Sequence, residues 1–106
     1  MGVLELDVTA NVLIVALCLD YQRRKEAIMG GMLSRRTEIE FRYINSRMFT
    51  AAAGIVGEEL AEIYINEIGR KVGYSFSKVE EVSEVTYKIN KRKVKEAIAR
   101  KMYLVE

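Results

Sequence analysis

Apolar residues recur along this chain every three or four positions, the repeat of helices with one buried face. Ala10, Leu13, Leu17, Tyr21 and Ile28 share one face of a first helix, while Val12, Val15, Ala16 and Leu19 cover much of the rest. A helix apolar nearly all round must be covered on several sides, so it is either the centre of a bundle or the seam of a homodimer. Asp7 or Thr9 would cap its start, and Gly30-Gly31 would end it. Thr37 to Glu40 has capping-box spacing, with Ser34 as a rival start, and opens a second helix carrying Phe41, Ile44, Met48, Ala52 and Ile55. Gly54 and Gly57 mark its end, a kink or a close helix crossing. Glu58 and Glu59 suit the first turn of a third helix with Leu60, Tyr64, Ile68 and Val72 inward and Gly73 as its cap. Ser77 and Glu80 have capping-box spacing and predict a short helix with Val79 and Val82 inward. Ser83 then starts a longer helix to about Lys101, with Tyr87, Val94, Ile98 and Met102 along its apolar edge. One helix bent near Ser83 is the alternative.

The absence of proline in 106 residues supports this reading, because proline concentrates in irregular connections and strand edges. The expected fold is an all-α bundle of four to five helices, a single domain over residues 1–106. The one cysteine, Cys18, excludes an intramolecular disulfide, lies in the apolar run Val12 to Leu19, and reads as a buried thiol in a cytoplasmic protein. That run rises about 12 Å as a helix against the roughly 30 Å of a bilayer core, so no membrane span is expected.

Catalytic chemistry finds little footing. The chain has no histidine, hence no conventional general base near neutral pH and no imidazole metal ligand. It has no phosphate-loop spacing and no zinc or calcium pattern, and Glu59, Glu62 and Glu67 read as a solvated face. No enzyme activity, cofactor, metal or small-molecule ligand is expected. Arg23, Arg24 and Lys25 read as favourable charge at the end of the first helix, whereas Arg35 and Arg36 sit unfavourably at the start of the second.

Charge is segregated along the chain. Thr86 to Lys101 holds seven basic residues and one acid, while Glu58 to Glu84 holds seven acids and three bases, within an overall charge of only +2. A basic helix beside an acidic segment suits a polyanion. Lys88, Arg92 and Lys95 fall on one face with Lys91 beside them, which marks these four as phosphate contacts. Thr86, Tyr87 and Asn90, near the helix start, are the expected base-edge or positioning contacts. A short helix and tight turn before this helix would complete a helix-turn-helix-like unit over residues 77–102.

The segment Ser83 to Ala99, SEVTYKINKRKVKEAIA, is similar to the recognition helix of sigma-factor region 4-like domains and to the C-terminal part of ArpU-type phage regulators. It covers about a fifth of the chain, and departs from those families in the preceding stretch, Lys78 to Val82. The resemblance implies a non-enzymatic, phage-related transcriptional regulator that docks duplex DNA with this helix. A homodimer is the expected assembly, and a helical module that binds a protein is the alternative function.

Overall fold

The computed structural model describes residues 8–102, and these form four α-helices without a strand. They are α1 (Val8–Gly30), α2 (Arg35–Val56), α3 (Glu58–Gly69) and α4 (Glu84–Lys101). A single 3-10 turn, Tyr74–Phe76, interrupts the connection between α3 and α4. Asp7, one expected cap of α1, lies outside the described residues, and Thr9 is inside the helix. The all-α bundle is the expected architecture, and Gly31, at φ 69°, sits just beyond the end of α1.

Two caps follow directly from sequence chemistry. The Ser34 hydroxyl accepts from Thr37 N–H at the start of α2, and the Ser83 hydroxyl accepts from Thr86 N–H at the start of α4. Ser34, not Thr37, therefore opens α2. Gly57, at φ 88°, makes the sharp turn between α2 and α3. The end of α3 differs from expectation. Lys71 adopts φ 56°, and Val72 N–H reaches back to the Glu67 carbonyl while Lys71 N–H reaches Ile68, the bonding of a Schellman cap. The left-handed position is thus a lysine, and Gly73 lies beyond it.

Gly69 has a different task. A Cβ there would stand 2.6 Å from the Cys18 carbonyl carbon and the Leu19 Cα, so only glycine lets α3 cross α1 at this distance. The core gathers Ile14, Cys18 and Tyr21 from α1, Met48 and Ala52 from α2, Ala61, Tyr64, Ile65 and Ile68 from α3, and Tyr87, Val94, Ile98 and Ala99 from α4. Of the face expected for α1, Ala10 and Tyr21 are buried and Leu17 packs against the core, but Ile14 and Cys18 point inward in its middle, whereas Leu13 is 45% exposed. Burial pushes the Cys18 thiol up to about 12, as suits an inert core thiol.

The basic cluster of α1 does not end the helix. Arg24 is buried, and its guanidinium donates to the Asn45 side-chain oxygen and the Leu17 carbonyl, both at 2.7 Å. Asn45 in turn donates to the Tyr21 carbonyl, and no buried side-chain nitrogen or oxygen among the described residues is left without a partner. Burial lowers the Arg24 pKa from its ordinary value.

Candidate nucleic-acid interface

The position of α4 rests on a buried carboxylate in α3. Glu67, expected on a solvated face, is 6% exposed. It accepts from the Tyr87 hydroxyl at 2.7 Å, the Ser77 hydroxyl at 2.6 Å and the Lys78 backbone N–H at 2.7 Å. One side chain thereby ties α3, the 70–83 connection and α4 together. Burial and the bond to Glu67 push the Tyr87 hydroxyl up to about 12. Tyr64 and Tyr74 flank the Tyr87 ring at centroid distances of 5.6 and 5.7 Å.

This arrangement replaces the expected helix at 77–82. The Ser77 hydroxyl donates to Glu67 and accepts from Val79 N–H, a local serine turn that competes with helix initiation. Residues 77–83 contain no helix, so α4 follows a long irregular connection and not the tight turn of a helix-turn-helix.

The expected contact residues separate into two groups. Tyr87 is 1% exposed and belongs to the core, which removes it from any base edge. Asn90 turns inward and donates to the Tyr64 hydroxyl at 3.2 Å. Lys91 lies across the Tyr87 ring and donates to the Val72 carbonyl at 2.7 Å, and burial lowers its pKa. Lys95 is half-buried. Thr86, Lys88 and Arg92 remain exposed. Lys88 pairs with Glu84 at 2.9 Å, and Arg92 stands 3.9 Å from Glu96, so both share their charge with an acid one turn away on α4.

At 100° per residue, exposed Val85 and Ile89 divide the outer face of α4 into two strips. Lys88 and Arg92 lie on one side. On the other, facing α2, run Lys93, Ala97, Arg100 and Lys101. This second strip borders a groove of about 480 Å³ whose lining also includes Arg47, Thr50, Ala51, Gly54 and Ile55 of α2. The Arg47 guanidinium lies 5.1 Å from the Tyr43 ring centroid and donates through two nitrogens to the Lys101 carbonyl, closing the C-terminal end of α4. No feature of the local sequence marks Arg47 as part of a basic surface. Its one signal is the four-residue spacing from Tyr43, which places ring and guanidinium on the same side of α2.

No helix among the described residues is long and apolar enough to cross a membrane, and no cluster of metal-ligating side chains occurs among them. No protein-family model, curated protein or solved structure matches the chain.

Proposed function

We propose that this chain is a small, non-enzymatic DNA-binding regulator of the phage-related kind that its α4 sequence resembles. It holds duplex DNA through backbone phosphates on the outer face of α4. The observation that carries this reading is that Lys88, Arg92, Lys93, Arg100 and Lys101 all stand exposed on one helix, whose opposite face is locked into the core by Tyr87, Val94 and Ile98. A rigid helix that presents five cations costs little ordering when it meets a polyanion. With Tyr87 and Asn90 turned inward, Thr86 is the remaining polar candidate near the helix start, so binding depends more on phosphates than on base edges. Fluorescence anisotropy with a labelled mixed-sequence duplex at low salt tests this. Saturable binding that disappears when Lys88, Arg92, Lys93 and Arg100 are replaced by glutamine supports the reading, and no binding by the unsubstituted protein contradicts it.

The proposal includes a second copy of the chain. Val8, Val12, Val15 and Leu19 follow an i, i+4, i+7, i+11 repeat on α1, the spacing of a helix-to-helix seam, and Val8, Val12 and Leu19 are 82%, 60% and 52% exposed. The same stripe favours the alternative function, a helical module that docks a different protein. A monomer that captures no duplex at low salt would favour that alternative.

A further inference from the structure

We infer that the groove between α2 and α4 is the seat of a DNA backbone strand, held by Arg100 and Lys101. This rests on the DNA-binding reading and assigns it to a particular side of α4, away from Lys88 and Arg92. Three observations converge. The groove lining, among the described residues, carries three cations and no carboxylate. Among the described residues, neither Arg100 nor Lys101 has an ion-pair partner, in contrast to Lys88 and Arg92. The negative end of the α4 dipole, which would repel a phosphate, is covered where Arg47 donates to the Lys101 carbonyl.

Gly54 supplies the steric argument. It lies in the last turn of α2 with an ordinary helical φ, and a Cβ built on it meets nothing within 4 Å. The fold itself therefore does not require glycine there, unlike Gly69, where the α1 backbone does. Helices disfavour glycine, so its presence in the groove lining beside Ala51 and Thr50 fits the close approach of an external backbone. Lys93 extends the same strip toward the N-terminal end of α4, giving a strand a path along the helix.

Three variants measured against one labelled duplex by anisotropy, with thermal melts as a check on folding, test the assignment. Gly54→Leu adds to the groove lining a bulky, uncharged side chain that favours helix. It should melt no lower than the unsubstituted protein yet bind duplex about tenfold more weakly, since a steric block removes contacts worth a decade in affinity. Arg100→Gln with Lys101→Gln, both at exposed positions, should flatten the log–log salt slope by about 1.8, or about 0.9 per lost phosphate contact. Lys88→Gln with Arg92→Gln should alter the slope less. If Gly54→Leu binds as the unsubstituted protein does while the far-side pair loses affinity, the groove assignment is overturned and the DNA reading stands. If the unsubstituted protein binds inorganic triphosphate but no duplex, both are overturned.

Discussion

The Tyr87 hydroxyl donates a 2.7 Å hydrogen bond to the Glu67 carboxylate, joining α4 to α3 across twenty residues of sequence. From sequence Tyr87 reads both as part of the apolar edge of α4, where it lies, and as a base contact, while Glu67 reads as a solvated acid. Glu67 also accepts from Ser77 and Lys78, which anchors the segment before α4 to α3, and Glu81, at φ 63°, turns the chain there out of any helical path.

Tyr87→Phe removes one bond to a buried carboxylate and should destabilise the fold by about 1.5–3 kcal/mol in urea denaturation. Duplex affinity should be unchanged under conditions where the variant is folded. Lost affinity at unchanged stability would place Tyr87 at the DNA after all.

The two helical glycines should respond in opposite ways. Gly69→Ala forces α3 off the α1 backbone at Cys18 and Leu19, and should cost about 3 kcal/mol. Gly54→Ala meets only open space and should leave stability unchanged or raise it by up to about 1 kcal/mol. Chemical denaturation of the two variants checks both.

Acid stability should depend on Glu62. Its pKa is lowered first by the hydrogen bond from Lys25 and further by the one from Tyr21, against an opposing contribution from burial. A carboxyl with a folded pKa below its unfolded one releases its proton more readily in the native state. Stability is then fully present above the unfolded value of about 4.3 and lost as pH falls through the folded value. Glu62→Gln should flatten the dependence of stability on pH below about 4.3, as followed by denaturation midpoints.

The α1 stripe should set the oligomeric state. Leu19→Glu places a charge at its C-terminal end, at a position already 52% exposed, so the monomer fold should persist. Light scattering should find a dimer for the unsubstituted chain and a monomer for this variant. A monomer in both would leave the stripe without its proposed partner.

What was legible in sequence was local. Ser83, Gly31 and the apolar edge of Val94 and Ile98 act within one turn of their own helix, so spacing reveals them. What was not legible depends on contacts distant in sequence. Whether Leu13 or Ile14 of α1 faces inward is decided by which neighbours cover a helix that is apolar nearly all round. Gly69 shows its role only where α1 crosses it. Of the basic residues, charge alone could not separate Lys91, which is spent on the Val72 carbonyl, from Lys93 and Arg100, which stay exposed. Arg47 reaches the same surface from another helix, fifty-four residues from the carbonyl that it caps.

If the outer face of α4 binds duplex DNA by displacing counterions from phosphates, duplex affinity must fall as salt concentration rises. With five phosphate contacts per chain, one for each exposed cation of α4, the log–log slope should be about −4.5, and about twice that if two copies bind together. Affinity that does not vary with salt, or no binding at low salt, would rule out docking of duplex DNA on this face of α4.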